Sequence, residues 1–340
     1  MPGDARYEVL DAQRKVALQD SERDFALDVL VGLSEKPKRL PSKYFYDDAG
    51  SEYFRRIMAL DEYYPTACEN EILERHGTEL AARVAGQRIN VVDVGAGDGK
   101  KTVVLLRQLA AAGIDFVYVP IDISEGAMQT LSETIGRELP DVTMRGLVSD
   151  YADGIHWLGV HHAERLNLAL FLGSNIGNFD RARARAFLRR LWNELREDDL
   201  VLVGFDLKKD IDVLLDAYND SEGVTAAFNL NLLERINREL GGTFDLDKWR
   251  HYGTYDVLSG AMKSYLVSLE PQRVYIDALS HEFEFQAWES IHTEYSYKYL
   301  KTDITELAAD TGFVIEAQYG DSRGYFVDSL WRVNKPAGPT

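Results

Sequence analysis

Cysteine is nearly absent: the 340 residues contain one, Cys68. A lone thiol cannot close a disulfide within the chain or build a thiolate metal cage, and its scarcity fits a reducing compartment. Basic charge is also in short supply. Lys+Arg 38 against Asp+Glu 56 leave a formal charge of -18, a field that repels phosphate backbones and anionic lipid surfaces. No local basic patch offsets it, so nucleic acid is not an expected partner. The longest apolar runs, LNLALFLG (Leu166 to Gly173) and LVLVGF (Leu200 to Phe205), fall far short of the roughly 20 residues that cross a bilayer, and no membrane span is expected. The amino-terminal stretch MPGDARYEVLDAQRKVALQDSERD is charged throughout and lacks the apolar centre of an export signal, which makes the cytoplasm the expected location. Two catalytic signatures are missing as well. The seven histidines include the adjacent His161 and His162, whose side chains diverge on any regular element; with no H-x-H or H-E-x-x-H string, no metal is expected. No G-x-S-x-G elbow supports a hydrolase.

What remains is an ordinary folded composition, 45% hydrophobic and 28% charged, in a length that suits about two domains at roughly 150 residues each. From about residue 68 to residue 206, short apolar runs alternate with amphipathic ones, which is how a parallel sheet with crossover helices reads. INVVDVG (Ile89 to Gly95), FVYVPIDI (Phe116 to Ile123), LNLALFLG and DLVLVGFD (Asp199 to Asp206) read as strands buried on both faces. Between the first two, TVVLLRQLAAAG places Val103, Leu106, Leu109 and Ala110 on one expected helical stripe and stops at Gly113. Upstream, Pro41 to Thr66 is dense in aromatics and turn residues. Downstream, Leu207 to Tyr297 mixes helical segments with a strand-like pair, AMKSYLVSLE and QRVYIDAL. The expected organisation is α/β with two lobes: 68-206 and 298-340 as a doubly wound sheet domain, and 1-67 with 207-297 as a second, discontinuous domain.

The sharpest motif is VVDVGAGDGKKT (Val91 to Thr102), a strand that runs into a glycine-rich turn and then a helix. Small residues let the backbone approach a ligand, and the new helix offers unpaired N–H groups to an anion, so a nucleotide-like cofactor is implied. The dinucleotide fingerprint G-x-G-x-x-G wants glycine where Lys100 stands, and the third glycine comes one place early at Gly99. That spacing suits S-adenosylmethionine better than NAD. The next strand ends at Asp122, whose carboxylate can accept from both ribose hydroxyls of a bound nucleoside. In LVSDYADG, Asp150 is positioned to take the adenine amino group and Tyr151 to pack beside the ring. Lys101, at the helix start, would meet the methionine carboxylate as a charge-assisted pair. A nicotinamide oxidoreductase stays open, because Asp122 would serve a ribose there too, as does a cofactor-sensing protein without turnover.

The strings LPSKYFYDDAGSEYF, LDEYYPT, FLGSNIGNF, AYNDSEGVTAAFNLNLLERINREL and HTEYSYKY lie outside any generic cofactor motif. Together they resemble the histidine Nα-methyltransferases that open ergothioneine biosynthesis, over nearly the whole chain from about Leu30 to Val333. The resemblance implies a Rossmann-like class I methyltransferase sheet, closed by the tail FVIEAQYGDSRGYFVDSLWRV as an antiparallel hairpin, and a second, substrate-binding lobe. It implies S-adenosylmethionine as cofactor, with Tyr46, Gly95, Lys101, Asp122, Asp150 and Tyr151 around it, and L-histidine as the small-molecule partner of a monomeric enzyme. Tyr63, Asn178, Tyr218, Glu294 and Ser296 match the histidine-binding positions, with Gly173 beside them. Asn178 and Tyr218 can donate to an α-carboxylate. Glu294 and Ser296, two apart on an extended segment, point to one side and can grip an imidazole.

Taken singly, each of these residues has a plainer reading. Tyr and Asn in loops are usually surface or turn residues, Glu294 alone reads as a solvated charge on an alternating strand, and the aromatics Tyr44, Phe45, Tyr53, Phe54 and Tyr64 read as core. Methyl transfer from a sulfonium needs mainly alignment and desolvation, and the α-ammonium must lose a proton first; water, the Tyr46 hydroxyl and backbone carbonyls are the candidate acceptors. In AMKSYL the family's methionine aligns with Ser264, and Met262 stands two residues earlier on the same face. Two readings follow: Met262 substitutes, or the enzyme methylates another amino acid or an aromatic amine.

Overall fold

The computed structural model describes residues 6–10, 14–161 and 164–335. The described residues cluster into two compact units, one within Met1–Ala12, Ala67–Lys208 and Tyr299–Thr340, the other within Gln13–Thr66 and Lys209–Lys298. The side chains of His161 and His162, and residues 1–5 and 11–13 of the amino-terminal stretch read for an export signal, lie outside the description. Among the described residues no helix is long and apolar enough to cross a membrane.

The first unit is an α/β structure on a nine-stranded sheet. Its order is Tyr7–Val9, Gly146–Val148, Asp115–Asp122, Arg88–Val94, Leu166–Phe171, Leu200–Asp206, Phe326–Val333 and Phe313–Gly320, with Thr143–Met144 pairing Asp115–Asp122 off that path. Pairing is parallel as far as Leu200–Asp206, after which Phe326–Val333 enters antiparallel and closes the edge as a hairpin with Phe313–Gly320. Strands covered on both faces must be apolar almost throughout, and all seven residues of Leu200–Asp206 are buried. Arg88–Val94 has Asp115–Asp122 on one side and Leu166–Phe171 on the other, so the chain switches direction around its carboxyl end, the place where α/β sheets open a crevice.

The helix Lys100–Ala111 sits on this sheet with Thr102, Val103, Leu105, Leu106 and Leu109 inward, whereas Ala110, expected on that stripe, is exposed. Its rotation is pinned by the Thr102 hydroxyl, which donates to Asp93 Oδ2 at 2.5 Å. The amino-terminal residues differ from the expected boundary too. Tyr7–Val9 pairs in parallel with Gly146–Val148, so this segment belongs with the large sheet and not with the second lobe.

The second unit carries a four-stranded sheet in the order Lys38–Arg39, Ser290–Tyr297, Ala261–Ser268, Trp249–Asp256. The helix Val224–Leu240 packs its buried face, Phe228, Leu232, Leu233 and Ile236, into a core shared with Phe45, Trp249, Leu266, Phe285 and Ile291. Asp220 starts this helix by accepting from Val224 N at 2.8 Å and Thr225 N at 2.7 Å. The two strands expected to pair with each other do not. Ala261–Ser268 lies between Trp249–Asp256 and Ser290–Tyr297, while Gln272–Ile276 forms a separate ribbon with His281–Phe285. Pro271, without an N–H, stands at the break between them.

A β-bulge interrupts the ladder between Ala261–Ser268 and Ser290–Tyr297. Tyr265 faces His292 and Ser264 faces Glu294, which leaves Thr293 as the extra residue. The Thr293 hydroxyl lies 2.9 Å from Asn229 Oδ1 and 3.0 Å from the Ser264 carbonyl, sharing its one hydrogen between them. Before the bulge the buried residues are Ile291 and Thr293; after it they are Ser296 and Lys298.

Candidate functional site

In the first unit the strand Arg88–Val94 gives way to a loop in which Gly95, Gly97 and Gly99 hold φ of 80°, 56° and 66°, the left-handed region that glycine enters without a Cβ penalty. A Cβ at Gly95 would lie 2.8 Å from the Tyr151 hydroxyl, whereas nothing lies within 4 Å of one at Gly97. The backbone at Gly97 therefore faces open space. Its N–H donates to Asp122 Oδ2 at 2.9 Å, and the other oxygen accepts from Ser124 N at 2.9 Å. Burial pushes the Asp122 carboxyl up, against these backbone N–H groups, which favour its charge. Beneath the loop, burial pushes Asp93 up to about 6, opposed by hydrogen bonds from Thr102 and Tyr118.

Lys101 lies in the first turn of the helix, and its Nζ donates to Glu69 Oε2 at 2.5 Å. Glu69, on the helix Tyr64–Arg83, is 0% exposed, and its other oxygen accepts from Gly173 N at 2.7 Å. Burial works against the Lys101 cation, but Glu69 outweighs it and the amine's pKa stands above the ordinary lysine value. Gly173 holds φ 76°, and a Cβ there would lie 3.0 Å from Lys101 Nζ, so glycine keeps that amine's surroundings clear. Asp328 completes the group: it is fully buried, both of its oxygens lack a hydrogen-bond partner, and burial with Glu69 nearby pushes it well above the carboxylate range.

Asp150 caps the helix Tyr151–His161, accepting from Asp153 N at 2.9 Å. Tyr151 stands edge-on to Phe171, with ring centroids 6.0 Å apart, and burial raises its hydroxyl to about 12. Asn178 is half-buried in the 3-10 turn Asn175–Asn178 that follows Leu166–Phe171.

The remaining expected residues belong to the second unit. Tyr46 is 38% exposed and meets Phe54 and Phe228 edge-on at 5.6 and 5.8 Å; Tyr63 meets Phe54 at 6.3 Å. Tyr44, Phe45 and Tyr64 are buried as core. Tyr218, at the end of the helix Ile211–Tyr218, donates to Ser296 Oγ at 2.7 Å. Its placement is set by Asn219, which exchanges hydrogen bonds with both backbone groups of Gly253 at 2.9 and 3.1 Å. A Cβ at Gly253 would come within 2.9 Å of the Tyr218 carbonyl. Lys298, 1% exposed, donates to Tyr218 Oη at 2.9 Å and to Ser296 Oγ at 2.8 Å. Glu294 keeps some surface, yet protein surrounds it closely enough that burial raises its carboxyl to about 7 despite the Lys298 cation. Across the ladder Met262 faces Ser296 and Ser264 faces Glu294, so all four share one face of the sheet.

Sequence reading missed Glu69, Asp328 and Lys298. Lys298 had a signal, since in HTEYSYKY it continues the alternation of Glu294 and Ser296; the buried acids Glu69 and Asp328 had none. Chemically, the first unit offers a carboxylate and an exposed backbone edge at the glycine loop with a cation close by, a set that fits a nucleoside with a zwitterionic tail. The second offers hydroxyl, carboxylate and ammonium groups suited to a small polar ring.

The family model described as a histidine-specific, SAM-dependent methyltransferase matches residues 25–333. The chain is 36% identical over 303 residues to a histidine N-alpha-methyltransferase of Mycolicibacterium smegmatis, covering 89% of this chain and 93% of that protein. It is 38% identical over 283 residues to the histidine N-alpha-methyltransferase of Mycobacterium tuberculosis, covering 83% and 87%. An L-tryptophan methyltransferase of Psilocybe serbica is 26% identical over 360 residues, covering 97% and 98%.

Proposed function

Because this chain belongs to the histidine-specific, S-adenosylmethionine-dependent methyltransferases, we propose that it methylates the α-amino group of L-histidine to the trimethylated betaine, hercynine, the first step of ergothioneine biosynthesis. The observation that carries the substrate is the pair Glu294 and Ser296 on one sheet face, an acceptor and a hydroxyl two residues apart beside Tyr218.

When bound, S-adenosylmethionine supplies an electrophilic methyl group on its sulfonium. Asp122 would accept from its ribose hydroxyls, with Gly95 leaving the backbone bare beside it. Lys101 has three N–H donors and gives one to Glu69, so it can also hold the methionine carboxylate. Asp150 and Tyr151 would take the adenine. Asn178 would donate to the α-carboxylate of histidine with Tyr63 and Gly173 beside it, and Glu294 and Ser296 would hold the imidazole, backed by Tyr218, whose one hydrogen goes to Ser296 Oγ. The proton that the α-ammonium must lose would pass to water through the Tyr46 hydroxyl, which takes it up as it hands its own on. Its ring and its aromatic neighbours would tolerate the methylated cation, a contribution of about 0.5 to 2 kcal/mol. A monomer in the cytoplasm completes the proposal.

The test is to incubate the protein with labelled S-adenosylmethionine and each amino acid in turn and weigh the products. Three methyl groups on histidine are expected; methyl uptake confined to another substrate, or hydride transfer with NAD and no methyl uptake, overturns the reading. A second amino acid as substrate is favoured by one observation: Ser264, where the family's methionine aligns, is the residue that faces Glu294 across the ladder.

A further inference from the structure

Lys298 is a buried ammonium held against two hydroxyls. An ammonium donates only, so both hydroxyl oxygens must accept from it. Tyr218 in turn gives its hydrogen to Ser296 Oγ. The serine oxygen thus accepts from two donors, which fills its lone pairs and leaves its own hydrogen to be given away. Each hydroxyl can give or receive, whereas Lys298 can only give, so the ammonium sets the direction in which the pair points.

We propose that Lys298 is a positioning residue that locks the Tyr218–Ser296 pair as a donor toward the substrate, so that Ser296 gives a hydrogen while Glu294 accepts one. The site then selects a neutral ring carrying one N–H and one bare nitrogen in a fixed order, which is a single imidazole tautomer. This deepens the assignment of Glu294 and Ser296 to the substrate ring and rests on it. The role is distinct from holding the ring, since Lys298 acts through the two hydroxyls. Its stem also lies with Nζ 4.8 Å from the Tyr218 ring centroid, an arrangement that keeps the cation at the hydroxyl end.

Ring analogues read this polarity directly. Two thiazolylalanine isomers keep a bare nitrogen at one or the other imidazole position, and thienylalanine has none. At alkaline pH, above the Glu294 value of about 7, the wild-type enzyme should use the better thiazolylalanine at least about tenfold more efficiently in kcat/KM than thienylalanine. Lys298→Met should bring that ratio to within about twofold, mainly through KM, and Lys298→Arg, which still donates, should restore most of it. A purely structural role would lower both analogues together and leave the ratio unchanged, which would overturn the proposal. Ser296→Ala provides a second route: it should erase the ratio alone, and adding Lys298→Met should then change it no further. A further drop of the ratio in the double variant also overturns the proposal. Failure of wild-type enzyme to methylate histidine would instead sink the underlying substrate assignment, whereas histidine turnover with an unaltered ratio in Lys298→Met sinks the polarity lock alone.

Discussion

Glu294 sets substrate affinity and fold stability against each other. In an unfolded chain its carboxyl titrates near 4.5, and in the folded protein burial moves it to about 7. Below about 4.5 it is protonated in both states and costs nothing. As pH rises to about 7 the unfolded chain ionises first, so folding loses stability over that window, and above it the loss is complete. Glu294→Gln should therefore unfold at a higher temperature than wild type at alkaline pH, a gain in stability of up to about 3 kcal/mol, with the advantage vanishing as pH falls toward 4.5. Melting curves across pH check it, and an advantage that grew on acidification would contradict the assignment. The same variant should weaken histidine binding far more than S-adenosylmethionine binding in calorimetry; equal losses would show that Glu294 does not serve the substrate. At this scale the sequence string HTEYSYKY offers Glu294 and Ser296 only through the family resemblance, since Glu294 alone reads as a solvated charge. Lys298 continues their alternation, but that this parity faces inward is settled only by the bulge at Thr293. Glu69 was illegible for a different reason: an acid in an amphipathic helix reads as solvent-facing until its partners Lys101 and Gly173, distant in sequence, are known.

Elements were legible where burial covers both faces. The strands Arg88–Val94 and Leu200–Asp206 show as mainly apolar runs, and the polar residues buried in the first hold partners, Asn90 donating to Asn167 and Asp93 accepting from Thr102. Trp249–Asp256 did not show, since the inward positions after Trp249 are His251 and Gly253, which do not read as apolar, and without it the next strand seemed to want QRVYI as its hairpin partner. The glycine loop is an element whose conformation and function can be separated. Gly97 holds φ 56° with open space where a side chain would go, so Gly97→Ala should cost only the backbone strain of about 1 to 2 kcal/mol. A methyl group in the crevice should nevertheless reduce S-adenosylmethionine affinity by tenfold or more, read by calorimetry beside a melting curve. Unchanged affinity would place the cofactor elsewhere than on this loop.

For the molecule as a whole, the single thiol is a built-in reporter. Cys68 is fully buried; burial, with Asp321 close by, pushes its thiol up to about 12, against Arg323, whose Nη2 lies 3.1 Å away. A thiol reagent should leave the native chain unmodified at neutral pH and modify one group per chain in denaturant. Because Cys68 belongs to the first unit, S-adenosylmethionine at about 100 times its dissociation constant should slow labelling through that unit's opening by about 100-fold. Labelling indifferent to the donor would mean that this unit does not bind it. A charge of -18 and one cysteine are whole-chain properties that need no tertiary knowledge. The domain boundaries did need it, since the pairing of Tyr7–Val9 with Gly146–Val148 joins segments far apart in the chain.

The extra residue at Thr293 makes the carboxyl half of its strand a matter of counting. Delete Thr293 and the ladder regains a regular two-residue rhythm. Glu294 would still face Ser264 and Ser296 would still face Met262, so the ring-binding set would keep its side and lose only the Thr293 hydroxyl's tie to Asn229 and the Ser264 carbonyl. A residue lost beyond the bulge allows no such tolerance: deleting Tyr295 would turn Ser296 and Lys298 to the other side while Glu294 stayed, and should abolish histidine recognition more completely than any single substitution within the segment.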